Sequence, residues 1–189
     1  MIEQNLPDDH VWLRITRPEY ADPFDTTFAQ QAGGRWNPPA SWPTLYLNFD
    51  MATVHAQVRH MFLGRGVDTD DLDDAAPIHL AAATLPHRQR VADVVSGAGV
   101  AAAGLDSGYP LDADGHLVPH AVTQQIGVDV HERGLRGVWC RSAALVGEEL
   151  AWFPARRASP RKYWDTPRPF GAWRFARTVN DVVKADSPR

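Results

Sequence analysis

Short stretches in which apolar and polar residues alternate predict the β-strands of this chain. Residues 11–16 (VWLRIT) and 44–49 (TLYLNF) are rich in β-branched and aromatic side chains, which favour strands. Residues 17–44 follow no clear period and hold five prolines and two adjacent glycines, so we expect a long ordered loop there. The same reasoning predicts further strands over residues 78–85, 136–140, 149–153 and 173–179.

Two segments with apolar residues at helical spacing predict the main helices. The first begins after Asp50, a residue that can cap a helix, and runs to about Leu63. The second runs from Pro119 to about Arg133 and places Val122, Ile126 and Val130 at steps of four. Strands and helices are mixed without a regular β-α-β alternation. The pattern therefore predicts an α+β fold with a largely antiparallel or split sheet.

Length and composition favour one folded domain. The chain has 189 residues, of which 44% are hydrophobic, enough for a sizeable core. No apolar run approaches the eighteen or so residues of a membrane helix, and the first residues lack a secretory pattern, so we expect no membrane contact and a cytoplasmic location. The single cysteine, Cys140, and the absence of paired-histidine motifs predict no metal site.

Charge is distributed unevenly along the chain. Residues 1–153 carry 10 Lys and Arg against 20 Asp and Glu, whereas residues 154–189 carry 9 against 3. The net charge of −4 predicts no direct binding of nucleic acid. The basic end is also aromatic, so we expect a single domain over 1–189 with a core at about 11–154 and an extension, 155–189, packed on the acidic body. The aromatic residues of that extension include Trp164, Phe170, Trp173 and Phe175.

The densest chemical signal is the sequence GGRWNPP at residues 33–39. Two glycines allow unusual backbone angles, and the two prolines stiffen the chain after Arg35. A guanidinium fixed in this way suits two-pronged binding of phosphate or carboxylate. The alternative is a structural turn in which Arg35 pairs with an acidic residue and Trp36 packs in the core.

Two strand residues are further candidates. Strand alternation places Arg14 on the face opposite its apolar neighbours, and it places Tyr46 likewise. Each side chain either faces a cleft or faces solvent, and the alternation alone does not distinguish these. In a cleft, Arg14 would bind an anion and Tyr46 would offer a ring for stacking.

The order of these features resembles the RES-domain family, the toxins of RES–Xre toxin–antitoxin pairs. Arg14 lies in an early strand, GGRWNPP precedes LYL at 45–47, and Arg-Ser-Ala follows at 141–143. The resemblance implies a fold similar to ADP-ribosyltransferase toxins, with a split, mostly antiparallel sheet and flanking helices. It implies cleavage of the nicotinamide–ribose bond of NAD by water or inorganic phosphate. It also implies an Xre-like helix-turn-helix antitoxin as partner and an oligomer formed through that complex.

The resemblance also implies roles for individual residues. Arg14 and Arg35 correspond to the family's arginines and would hold the pyrophosphate of NAD or an attacking phosphate. Tyr46 would stack on a ring of NAD. Ser142 would hydrogen-bond the nicotinamide amide or the ribose. The position of the family's catalytic glutamate is occupied here by Gln57.

Gln57 keeps the size of glutamate and loses its charge. A carboxylate beside the ribose stabilises the positive charge that develops there, and losing such a group costs about 10²–10³-fold in rate. The resemblance thus leaves open a slowed enzyme, a RES-fold protein that binds NAD or an antitoxin without turnover, and a protein ADP-ribosyltransferase. A fourth alternative is that Glu148 or Glu149, near Ser142, has taken over the role.

Overall fold

The computed structural model describes residues 1–156 and 158–185. The strands within these residues are β1 (Glu3–Asn5), β2 (Val11–Thr16), β3 (Leu45–Asn48), β4 (His79–Thr84), β5 (Arg90–Val94), β6 (Gly137–Arg141), β7 (Glu148–Trp152), β8 (Arg161–Lys162) and β9 (Arg168–Pro169). The helices are α1 (Thr27–Ala32), α2 (Met51–Phe62), α3 (Gly97–Ala102), α4 (His120–Glu132), α5 (Phe170–Trp173) and α6 (Val179–Ala185). None of these helices is both long and apolar enough to cross a membrane.

The strands form one mixed sheet in the order β1-β5-β6-β7-β3-β2-β4-β8, and β9 also pairs with β4. Among the described strands only β5 and β6 run parallel; every other pair is antiparallel. The predicted α+β class with a mostly antiparallel sheet is therefore confirmed. Neither β1 nor β5 was predicted from the sequence.

The sheet is nearly divided between β2 and β3. β2 pairs with β4 along its whole length and β3 pairs with β7 along its whole length, but β2 and β3 share the single register pair Leu13–Asn48. A continued antiparallel ladder would bring Arg14 opposite Leu47. The two strands instead diverge from this pair toward Thr16 of β2 and Leu45 of β3, as in a split sheet, and this divergence creates the cleft described below.

Helix α2 packs next to this division. Asp50 caps it as predicted, accepting a hydrogen bond from the Thr53 backbone N–H at 2.8 Å. Val54 and Val58 are buried against Leu13 in one core cluster. This packing fixes the side of α2 that faces the sheet and so determines where Gln57 points.

The C-terminal extension contributes to the same core cluster. Trp164, Phe170 and Trp173 are buried there, whereas Phe175 is 81% exposed. Residues 157 and 186–189 of the predicted extension lie outside the described residues. The burial of three large rings explains how a strongly basic segment packs on the body.

The strand predicted over 173–179 is wrong. Residue 173 ends α5, and α6 begins at Val179. Trp173 and Ala176 are buried three residues apart, and Val179 packs against the same cluster three residues later, a spacing typical of helical turns rather than of a strand. The Asp181 carboxylate accepts hydrogen bonds from the Arg177 and Thr178 N–H groups, which stabilises the start of α6.

Candidate active site

A small cleft of about 210 Å³ opens where β2 and β3 diverge. Its walls come from both strands, from α2 and from the start of β7. The lining residues are Arg14, Ile15, Tyr46, Leu47, Asn48, Gln57 and Glu149. Three of the sequence-predicted site residues, Arg14, Tyr46 and Gln57, are thus brought together by the split of the sheet.

Arg14 supplies the positive charge of the cleft. It is half-buried, and its Nη1 donates to the Asp25 carbonyl oxygen at 3.2 Å. Within the described residues no carboxylate lies at ion-pair distance from it. Burial lowers the pKa of the Arg14 guanidinium, and the nearby carboxylates of Asp25 and Asp22 oppose this shift. The guanidinium therefore keeps donors that an anionic ligand can use.

Glu149 supplies a negative charge in the same cleft. Its Oε1 accepts hydrogen bonds from Gln57 Nε2 at 2.6 Å, from the Ala143 N–H at 3.2 Å and from the Ser142 hydroxyl. No side chain or backbone group of the described residues donates to Oε2. The carboxylate is consequently held by three donors on one oxygen and leaves the other oxygen for a ligand.

Ser142 lies behind Glu149 rather than on the cleft wall. It is 1% exposed, its hydroxyl donates to Glu149, and its Oγ accepts from the Ala144 N–H at 3.0 Å. Its own N–H donates to the Gly147 carbonyl at 3.0 Å, which closes a tight turn. Sequence reasoning expected Ser142 to contact the substrate, but the turn directs its hydroxyl to the carboxylate.

Tyr46 joins the cleft to the GGRWNPP loop. Its hydroxyl accepts from the Trp36 N–H at 2.9 Å and donates to Asn37 Oδ1 at 2.8 Å. Burial raises the pKa of Tyr46 above its ordinary value, so the phenol stays neutral. Gly34 lies against the ring, and a Cβ added there would come within 2.4 Å of the hydroxyl oxygen. The ring lines the cleft while the hydroxyl anchors the loop.

Arg35 does not line the cleft. Its Nη1 donates to the Val118 carbonyl at 2.9 Å, and its own carbonyl accepts from Thr123 Oγ1 at 2.5 Å. The preceding carbonyl, of Gly34, accepts from Gln124 Nε2 at 2.8 Å. Thr123 and Gln124 both belong to α4, so the loop is clamped between α4 and Tyr46. Arg35 is thus not a lining residue of the cleft, although its charge acts on the nearby Tyr46 hydroxyl.

Sequence reasoning did not single out Asn48. It lies two residues after Tyr46 on β3, so strand alternation puts both side chains on one face. This alternation was the feature of the sequence that could have identified Asn48 as a site residue. Glu149 appeared only as one of two alternative carboxylates. Within the described residues no group of three His, Cys, Asp or Glu side chains is placed to hold a metal ion.

Comparisons with known proteins agree with this fold. The model of the family described as the RES domain matches residues 11–173. The structure of the M. tuberculosis MbcT-MbcA toxin-antitoxin complex contains a chain that is similar to this one, with a TM-score of 0.69 and 18% sequence identity. The match covers 88% of this chain and 87% of that one. A search of curated proteins gives no match.

Proposed function

The chain belongs to the RES domain family, and from that premise we propose that it is the toxin of a toxin–antitoxin pair and cleaves the nicotinamide–ribose bond of NAD. One observation carries the proposal. Glu149, held by Gln57 and Ser142, presents a carboxylate in the same cleft as Arg14. A free cation and a free carboxylate oxygen in one cleft suit a substrate that is anionic and becomes cationic at its reacting carbon.

The carboxylate acts on that carbon. When the bond between ribose C1′ and the pyridinium nitrogen breaks, the electron pair leaves with nicotinamide and positive charge develops on the sugar. Glu149 stabilises this oxocarbenium-like transition state through its unpaired Oε2. Water or inorganic phosphate then bonds to C1′. With water, the released proton passes to a base and ADP-ribose forms; with phosphate, the product is a phosphorylated ADP-ribose.

Arg14 binds the anionic part of the substrate. A guanidinium with free donors forms charge-assisted hydrogen bonds to phosphate oxygens. The cleft of about 210 Å³ is smaller than the ~300–1,000 Å³ typical of sites that enclose a whole drug-sized ligand. It therefore takes the nicotinamide–ribose portion and the adjoining phosphate, and the adenosine portion lies outside it.

Gln57 positions the carboxylate in the proposed reaction. Position 57 carries no carboxylate in this chain. The Gln57 amide nitrogen instead donates to the Glu149 carboxylate and so orients it. The carboxylate needed for the reaction thus lies on strand β7 rather than on helix α2, and a single hydrogen bond separates the two positions. This supports an active enzyme over a protein that binds NAD without turnover.

The proposed partner is an antitoxin protein. The similar fold in the MbcT-MbcA structure is found in a toxin–antitoxin complex. An enzyme that depletes NAD harms the cell that makes it unless a partner holds it inactive, and we propose an Xre-like helix-turn-helix protein as that partner, in a shared oligomer. The proposed site of action is the cytoplasm, where the enzyme meets its substrate.

The purified chain incubated with NAD, with and without inorganic phosphate, tests the proposal. We expect release of nicotinamide together with ADP-ribose or its phosphorylated form, identified by mass spectrometry. Transfer of ADP-ribose to added protein would instead indicate a transferase. Binding of NAD in calorimetry without nicotinamide release would overturn the proposed activity and leave only a binding function.

A further inference from the structure

One buried acceptor at the cleft has no donor among the residues that the structure describes. Asn48 is 6% exposed and lines the cleft between Tyr46 and Glu149. Its Nδ2 donates to the Leu13 carbonyl at 3.4 Å, across the single pair that joins β2 to β3. Its Oδ1 is buried and accepts no hydrogen bond from the described residues.

The orientation of this amide follows from its surroundings. The Leu13 carbonyl is an acceptor only, so the amide nitrogen must face it and the amide oxygen must face away. A buried acceptor without a donor is unfavourable, and such groups in folded proteins call for an explanation. A leucine of similar size would fill the same space without an unpaired polar atom.

We propose that Asn48 is a substrate-contacting residue that accepts a hydrogen bond from the nicotinamide–ribose part of the substrate. This inference rests on the proposed function. Asn48 lies on the same face of β3 as Tyr46, and Glu149 is its register partner on β7. All three residues line the cleft, so a small displacement of the Asn48 side chain would expose Oδ1 to a donor bound between them. Nicotinamide offers a carboxamide N–H, and ribose offers hydroxyls.

The Asn48 oxygen would also let the site discriminate NAD from analogues that lack the donor group. A site built to bond a donor group rejects an analogue without that donor, because the protein's acceptor is then left unpaired. Nicotinic acid adenine dinucleotide carries a carboxylate where NAD carries a carboxamide. An amide oxygen facing that carboxylate would disfavour it through repulsion between two acceptors.

Kinetics and calorimetry of Asn48→Leu and Asn48→Ala test the inference, with Thr44→Val as the matched control. Thr44 is a buried polar residue just before β3 and does not line the cleft. We expect Asn48→Leu to weaken NAD binding about five- to tenfold. The substitution removes the unpaired Oδ1 and also the Nδ2 donor to the Leu13 carbonyl, so the thermal midpoint serves only to show that the variant is folded. The Thr44 variant should bind NAD as the wild type does.

Binding of nicotinic acid adenine dinucleotide shows which group of NAD donates to Asn48. If the carboxamide is the donor, the preference of the wild type for NAD over the nicotinic acid analogue should shrink in Asn48→Leu. If a ribose hydroxyl is the donor, both dinucleotides should lose affinity equally. Unchanged NAD affinity in both folded Asn48 variants of an otherwise active protein overturns the inference alone. A wild type that does not bind NAD overturns the proposed function as well.

Discussion

Gln57 and Glu149, which lie 92 positions apart in the sequence, are joined by a hydrogen bond of 2.6 Å from the amide nitrogen to the carboxylate oxygen Oε1. The bond connects helix α2 to strand β7 at the wall of the cleft. An amide and a carboxylate in contact form a pair in which one side chain carries the charge and the other donates to it. In this chain the charge resides on β7.

Replacing Gln57 by glutamate should harm this pair rather than repair it. Gln57→Glu removes the amide donor and puts a second carboxyl group beside Glu149. Two carboxyl groups in contact repel each other when both are ionised, which is unfavourable. We expect nicotinamide release near neutral pH to fall. Activity should recover partly as the pH is lowered, because one proton shared by the two carboxyl groups restores a donor.

A pH profile of nicotinamide release for wild type and Gln57→Glu checks this expectation. A variant that is faster than the wild type across the whole profile would show that position 57 is the true place of the catalytic charge. Gln57→Ala serves as the control, since it removes the donor without adding charge.

Arg14 should contribute to substrate binding more than any exposed arginine does. In Arg14→Gln the charge-assisted bonds to phosphate are lost, so the affinity for NAD should fall about tenfold or more. Arg17→Gln is a suitable control, because Arg17 lies outside the cleft and is 62% exposed in a surface ion pair with Glu19. Equal affinities for the two variants in calorimetry would exclude Arg14 from the binding site.

The hydroxyl of Tyr46 should matter for stability. Tyr46→Phe keeps the ring and leaves the Trp36 N–H and the Asn37 side-chain oxygen Oδ1 without the hydroxyl that bonds them. Leaving buried polar groups unpaired costs about 1–3 kcal/mol, so the free energy of unfolding in denaturant should fall by that amount. An unchanged unfolding free energy would mean that Tyr46 serves only the substrate and does not anchor the loop.

Gly127 on α4 should tolerate no side chain. A Cβ there would come within 1.8 Å of the Trp36 carbonyl oxygen, a backbone atom of the clamped loop. Gly127→Ala should therefore lower the thermal midpoint, although alanine favours helices over glycine by about 1 kcal/mol. Gly97→Ala at the start of α3 is the control, because an added Cβ there meets no atom within 4 Å. Equal midpoints for the two variants would contradict the close docking of the loop on α4.

Local patterns in the sequence predicted the main elements and part of the site. Alternation identified β2 and β3 and put Arg14 and Tyr46 on their proper faces, and a capping aspartate marked the start of α2. Residues 173–179 were read as a strand because aromatic and β-branched residues dominate them, whereas their buried positions follow helical turns.

The partners of the site residues depend on long-range contacts that no local pattern contains. Arg35 was placed in the site on the GGRWNPP motif and the family resemblance, but the docking of its loop on α4 turns Nη1 to the Val118 carbonyl. Ser142 was assigned to the substrate, yet the turn that follows it directs its hydroxyl to Glu149. The importance of Asn48 depends on the divergence of β2 from β3, which only the register of the sheet reveals.

The rate of nicotinamide release from NAD by the wild type and by Glu149→Gln tests the central claim most directly. Glu148→Gln is the matched control, since Glu148 is the adjacent residue and does not line the cleft. We expect steady release by the wild type and by Glu148→Gln, and a fall of about 10²–10³-fold in kcat for Glu149→Gln with the affinity for NAD little changed. A Glu149→Gln variant that releases nicotinamide as fast as the wild type would contradict the assignment of Glu149 as the carboxylate that acts on the ribose.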